Sequence, residues 1–468
     1  MSATRLSHRI QSGNHTGMVQ NIFVVGADDF NCKLLDDIHT NRGYEFHSLL
    51  TFDEVKGVDK YPSFDGLIEQ AESVLGHFKG NIDAIVGYWD FPVNSMVPLL
   101  CEKYNLASPS LESELKCDHK YWSRCEQKKV IPEHTPAFES LDPFDENAVE
   151  NIQMAFPFWI KPVKSTDSFL AFRVNNGQEL DEALGRIRDK IDYIGTPFNE
   201  LLAHARLPEY VSEVEGHHCI IEEMIFGHQC TVEGHAHKGE IISHGIIDSF
   251  NYPGGSSFFR YEYPSQVPQE VQNAMVETSR TIMSHVGFDN GAFNIEYFYD
   301  MKTGHYVLLE INPRISQSHS EMFQFVDGTS NHQIMVDLAL GKKPDFKARA
   351  GRFDCAAKFY LRRFKDGKVN RVPGADELDR LRTSIPGIDI DINVEKGTQL
   401  SRMIEQDSYS FDVANIYIGA GDTRELLEKF RKVVEALPIE VEDEESSDWK
   451  QVALKASREM VFLDDVFK

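Results

Sequence analysis

Glu296, Glu310, Asn294 and Asn312 are the residues whose types and spacing most plainly point to chemistry. They fall in residues 291–314, GAFNIEYFYDMKTGHYVLLEINPR, which read as two short strands joined by a turn at 300–304. A hairpin centred near Thr303 sets Glu296 opposite Glu310 and Asn294 opposite Asn312. Side chains alternate along a strand, so these four share one face. Phe293, Ile295, Tyr297, Val307, Leu309 and Ile311 then share the other, which makes a good core face. Two facing carboxylates repel unless something compensates, and a hard cation with oxygen ligands does so best. Alone, the pattern fits both a hard-cation site and an ordinary Glu-rich wet face.

Other stretches carry charge in unusual places. Residues 156–162, FPFWIKP, form an apolar run ending in Lys161, where a lysine can snorkel or hold an anion. A polar loop, KSTDS at 164–168, follows, and a strand resumes at 170–174. Strand, polar loop, strand is a shape that covers phosphates with backbone N–H groups. Residues 111–130 read as one helix ending before Pro132, with Asp118, His119, Lys120 and Arg124 on what looks like a solvated face. Residues 219–232, CIIEEMIFGHQCTV, read as an apolar strand turning at Gly227 into another strand. His228, His235 and His237 invite a zinc reading, but a third and fourth ligand are missing, so ordinary strand and turn histidines are expected.

The elements that must hold these residues follow from periodicity. Strands at 21–26 and 81–87 alternate with helices, one of them at 98–104 with Pro98 in its first turn, which argues for a parallel α/β sheet. Neither G-x-G-x-x-G nor G-x-x-x-x-G-K-[ST] is present, so a nucleotide site must be of another kind. Helices are expected at 177–191, 271–286 and 331–340. Composition marks 251–268 and 315–328 as loops, and 251–268 and 316–325 are candidates for substrate walls. Past residue 350, strands at 355–361 and 413–418 and a helix at 422–437, N-capped by Asp422, suggest a C-terminal α+β module.

The totals set limits. A chain of 468 residues needs more than one core. With 41% hydrophobic and 26% charged residues it has the balance of a soluble globular protein. The net charge of −26 disfavours nucleic acid or an anionic membrane as partner. Seven scattered cysteines without a C-x-x-C pair indicate a reducing compartment, and residues 1–17 lack the apolar stretch of a signal peptide, so a cytoplasmic location is expected.

In this order, FNIE at 293–296 and LLEINPR at 308–314, downstream of IKPVKSTDS and IIEEMIFG, resemble the ATP-grasp superfamily, in the style of its carboxylate–amine ligases that join amino acids. The resemblance implies an ATP-grasp fold: a flexible stretch at 1–18, an N-terminal parallel α/β domain at 19–115, a mobile lid at 116–222, a catalytic core with a central antiparallel sheet at 223–345, and the C-terminal α+β module at 346–468. It implies ATP and Mg2+ as cofactors, with Mn2+ as an alternative ion. Glu296, Glu310 and Asn312 would be the metal ligands. Lys120 and Lys161 would contact phosphates under a loop offering Ser165 and Ser168. Glu222, Glu223 and Ile225 would meet adenine, Gln229 the ribose, and Arg314 the substrate carboxylate or acyl phosphate. Two features depart from the family pattern: the phosphate loop has no glycine, and Gln229 stands where an acid is common. The implied reaction joins a small-molecule carboxylate to an amine through an acyl phosphate, with Arg314 and Lys161 as the catalytic pair. Other ATP-grasp chemistry, carboxylation or phosphorylation, and a non-catalytic nucleotide-binding regulator are the alternatives. Homodimers are common in the family, although no interface is written in this sequence.

Overall fold

The structure is a computed structural model, and it describes residues 19–39, 43–57, 61–166, 169–403, 406, 409–442 and 449–462. Residues 1–18, Ser168 and part of the acidic run at 440–445 lie outside this set. Its strands are β1 Gln20–Ala27, β2 Tyr44–Thr51, β3 Ala84–Gly87, β4 Phe138–Leu141, β5 Phe158–Pro162, β6 Phe172–Val174, β7 Cys219–Glu223, β8 His228–His237, β9 Glu240–Asn251, β10 Phe258–Tyr263, β11 Gly291–Tyr299, β12 Tyr306–Asn312, β13 Cys355–Arg363, β14 Lys368–Arg371, β15 Ile388–Ile392, β16 Phe411–Ala420 and β17 Glu440–Glu442.

The expected parallel sheet is present at the N-terminus as β2-β1-β3, with the apolar β1 in the middle. A four-stranded sheet, β4-β7-β5-β6, follows, and then an eight-stranded one, β12-β11-β8-β9-β10-β13-β16-β15. All pairings in the last two are antiparallel. The large sheet does not stop at residue 345. Strand β13 pairs with β10, so the C-terminal module shares its sheet with the hairpin β11–β12. Its outer face packs on the helix Thr423–Ala436 through Leu426, Leu427, Phe430, Val433 and Val434, which are all buried.

Several local expectations are corrected. Residues 111–130 form two helices, Leu111–Asp118 and Lys120–Val130, broken at His119. The His119 ring caps the second: Nδ1 accepts from the Trp122 N–H and Nε2 lies 2.8 Å from the Val214 carbonyl oxygen. Burial lowers this ring's pKa to about 4, which keeps it neutral and able to accept. Pro98 sits inside the helix Val93–Tyr104, not in its first turn. The 251–268 segment contains β10, because the FFRYEY stretch is aromatic and finds partners on both sides. The 315–328 segment is mostly a short turn of helix, Gln317–His319, followed by the helix Ser320–Val326, which buries Met322, Phe323 and Val326. No helix among the described residues is long and apolar enough to cross a membrane.

Candidate active site

The hairpin register is as the spacing predicts near the site: Asn294 lies opposite Asn312 and Glu296 opposite Glu310. A β-bulge follows directly, so that Tyr297 pairs with Leu308 and Leu309 is the extra residue. One extra residue inverts the faces beyond it. Tyr306 and Leu308 are therefore in the core, while Val307 and Leu309, expected there, are only half-buried. Gly227, at the β7–β8 turn, has φ +137°, and a Cβ there would come within 2.4 Å of the Tyr299 carbonyl oxygen. The turn can thus lie flat against the end of the hairpin only with glycine in place.

Cations surround the two glutamates. Lys120, first residue of its helix, bonds through Nζ to Glu310. Its backbone N–H donates to the Val163 carbonyl at 2.9 Å, which ties the helix start to the polar loop after β5. Lys161 on β5 reaches Glu222 on β7 at 2.5 Å, a diagonal cross-strand pair, since Lys161 lies opposite Ile220. Arg124, four residues after Lys120 and on the same helix face, is buried. Its Nε donates to Glu222 at 2.5 Å, and its two terminal nitrogens donate to the Leu308 and Leu309 carbonyls at 3.2 and 2.5 Å. The face expected to be solvated is therefore the inner wall of the site, and Arg124 is the functional residue that the charge pattern concealed. The bulge at Leu309 presents the carbonyl that it grips.

Titration follows the same layout. Burial, and then the Glu310 charge, push the Glu296 carboxyl up to about 7. Burial also opposes charge on Glu310, but Lys120 and Lys161 outweigh it and hold that carboxyl below its usual range. Glu222 is held at about 2 against burial by Arg124 and Lys161. Of the facing pair, Glu296 is thus the one that takes up a proton.

Asn312 Nδ2 donates to Asn294 at 3.0 Å and to Glu296 at 3.3 Å. Asn294 Nδ2 donates to the Arg314 carbonyl at 3.0 Å, so it orients the chain entering Arg314. Arg314 Nη2 contacts Asp90, just after β3, at 3.2 Å. Asp90 in turn accepts from Lys164 at 2.9 Å, and Lys164 also bonds Asp118 at 2.5 Å. Gln229 Nε2 donates to Glu296 at 2.7 Å. Ser165 is buried beside Lys164. Glu223 is exposed and accepts from the Ala137 N–H at 2.8 Å. Ile225 lies in the β7–β8 connection. The sequence-predicted residues Lys120, Lys161, Glu222, Gln229, Glu296, Glu310, Asn312 and Arg314 are thus joined by direct contacts or by one shared partner. Two of the three histidines have structural partners instead: His228 bonds Asp248 at 3.0 Å, and His235 meets His244 at 2.6 Å.

Two carboxylates and an amide on one face, with lysines alongside, suit a magnesium ion that takes its remaining oxygens from phosphates. No group of three or more acids, histidines or cysteines that could hold a metal ion occurs among the described residues.

Comparison with known proteins places this geometry. Residues 154–321 match the ATP-grasp domain family. The chain is similar to the carbamoyl phosphate synthase large chain of Pseudothermotoga lettingae, 27% identical over 121 residues, covering 24% of this chain and 11% of that one. The chain therefore spans about a tenth of that relative's length. Among solved structures it is similar to an L-amino acid ligase from Bacillus licheniformis, with TM-score 0.71 and 16% identity over 92% of this chain and 100% of that one. It is also similar to the biotin carboxylase domain of the Hydrogenobacter thermophilus 2-oxoglutarate carboxylase in complex with MgADP, with TM-score 0.62 and 15% identity over 96% of each chain. The chain shares the fold of these structures, and its residues 154–321 carry the match to the ATP-grasp domain family.

Proposed function

We propose that this protein is an ATP-dependent carboxylate–amine ligase acting on small molecules, with an amino acid as the carboxylate. The observation that carries the reading is the Glu296–Glu310 pair with Lys120 bonded to Glu310 and Arg314 two residues beyond Asn312. The likeness to the L-amino acid ligase over nearly the whole of both chains supports the choice of chemistry.

In this reading Glu296, Glu310 and Asn312 would hold Mg2+, which would supply positive charge against the phosphates of ATP. Lys120 and Lys161 leave Glu310 and Glu222 to meet the phosphates, and Ser165 with its neighbouring backbone covers them. The Glu223 and Ile225 backbone meets adenine. Glu222 keeps its bond to Arg124 and so holds the hinge strand to the helix of Lys120. Gln229 divides its amide between Glu296 and the ribose. Arg314 turns from Asp90 to hold the substrate carboxylate in line with the γ-phosphate. The carboxylate oxygen attacks phosphorus, ADP leaves, and the acyl phosphate forms. An amine then attacks the acyl carbon, losing a proton as phosphate departs. No side-chain nucleophile is needed, and catalysis rests on position and on charge neutralisation.

The test is phosphate release from ATP and Mg2+ across a matrix of amino acids, small carboxylates and amines, with products read by mass. Amide product with one ADP per bond is expected; no turnover with any pair overturns the reading. Similarity to carbamoyl phosphate synthase chains favours one second reading, phosphorylation of a small acid without ligation, which would give an acyl phosphate or its hydrolysis product with no amide.

A further inference from the structure

Register carries the face of the paired glutamates across the whole sheet. Gln229, bonded to Glu296, lies opposite Ser249; Ser249 lies opposite Tyr261, Tyr261 opposite Lys358, and Lys358 opposite Tyr417. Lys358 thus shares a face with the magnesium glutamates, in the part of the sheet contributed by the C-terminal module. It is only 5% exposed. Its Nζ bonds the Ser318 hydroxyl at 2.9 Å and lies 4.4 Å from the Tyr360 ring centre and 5.6 Å from that of Tyr417.

The other buried lysines of the site each have a carboxylate: Lys120 has Glu310, and Lys164 has Asp90 and Asp118. Lys358 has none within ion-pair distance among the described residues, although Asp391, two strands away, is within electrostatic reach. A buried ammonium served by one hydroxyl and aromatic faces is under-compensated and is ready to accept an anion. The face is roofed: Phe30 stacks on Tyr417 at 5.9 Å, and Asn31 donates to Gln317 at 2.6 Å. Toward Arg314 lies His319, which is within the field of both Lys358 and Arg314 and bonds Glu233 at 2.7 Å.

We propose, on the basis of the ligase reading above, that Lys358 with Ser318 receives a second carboxylate of the reactants, beyond the one activated at Arg314. One ammonium and one hydroxyl match a monoanion such as a carboxylate, and in the ligase reading the phosphates of ATP are already met by Lys120, Lys161 and Ser165. The carboxylate comes either from a dicarboxylic acid substrate or from an amino acid serving as the amine.

The experiment compares wild type, Lys358→Met and Lys358→Arg. Phosphate release is measured with succinate against propionate as the acid, and with glycine against glycinamide as the amine. Lys358→Met should raise the KM of the carboxylate-bearing member of one pair roughly 10- to 100-fold. The KM for ATP and that for the member lacking the carboxylate should stay unchanged, and Lys358→Arg should recover part of the loss. A loss confined to succinate assigns the site to the acid, and one confined to glycine assigns it to the amine. Equal effects on both members of each pair, or none, overturn the proposal. If wild type turns over nothing, the ligase reading fails by itself. Calorimetry of succinate and glycine binding to wild type and Lys358→Met then decides the site: binding lost in the variant supports it, and binding unchanged or absent from wild type overturns it.

Discussion

Lys120 and Lys161 on one side, and Lys164 on the other, lie within one short reach of the chain and are all ion-paired, yet their pairs are built differently. Lys164 is 1% exposed and wedged between Asp90 and Asp118. Burial works against its charge, and the two aspartates outweigh that and raise its pKa. On Asp90 the balance also favours charge, with Lys164 and then Arg314 overcoming burial to hold the carboxyl well below its usual range. Lys120 instead pairs with Glu310, whose side chain is 35% exposed, and Lys161 is itself partly open beside Glu222. The first arrangement is a strut joining the N-terminal domain, the helix Leu111–Asp118 and the root of the phosphate loop. In the proposed reading the second is a set of mutual placeholders, cation and anion occupying each other where phosphate and magnesium would go. Lys164 is the most deeply buried of the three lysines and holds two carboxylates at once, and this sets the pair that fixes the fold apart from those able to exchange partners.

This contrast can be broken by mutation. Lys164→Met leaves two buried aspartates without their cation and should cost about 3–5 kcal/mol in stability, read by denaturant unfolding with and without Mg–ATP. A loss under about 1 kcal/mol would place Lys164 with the exchangeable set. Glu310→Gln should lower turnover roughly 100- to 1,000-fold while destabilising the fold far less than Lys164→Met. Equal destabilisation by the two variants would erase the distinction.

Protons sharpen it further. The Glu296 carboxyl titrates at about 7 in the folded protein against an ordinary value of 4.5. A raised carboxyl makes the folded state the better proton binder in that window. Its contribution to the stability of the free protein is complete below about 4.5 and is lost as the pH rises to about 7. A metal requires the ionised form, so Mg–ATP affinity should rise with pH up to about 7 and then level off. Binding at pH 7 should release about half a proton, measured by calorimetry in buffers of differing ionisation heat. Zero release would remove Glu296 from the metal set. Smallest of all, Asp422→Ala removes the side chain that caps the helix Thr423–Ala436 on the far face of the sheet. It should cost about 1 kcal/mol and leave turnover intact.

Local pattern made the hairpin more legible than the long-range pairing. FNIE and LLEINPR fix the register of their own hairpin because turn position and side-chain alternation suffice for that. The bulge at Leu309 escaped because a one-residue insertion leaves no mark in composition, yet it reverses Val307 and Leu308. Arg124 read as solvent-facing because a helix carrying Lys120, Lys128 and Lys129 looks polar all round; its burial is decided by β12, almost two hundred residues away. Strand β10 was hidden by the Gly, Pro and Ser residues flanking FFRYEY. Its pairing with β13 is a long-range choice that no window of sequence displays.

That pairing bears on how the chain can be divided. Cutting it after residue 350 would remove β13, β15 and β16 and uncover the whole edge of β10. The bared strand carries Phe258, Phe259, Tyr261 and Tyr263 and has lost its hydrogen-bonding neighbour. Flat aromatic edges of that kind recruit other chains, so the shortened protein should be sticky and prone to aggregate, however complete its ATP-grasp motifs look on paper.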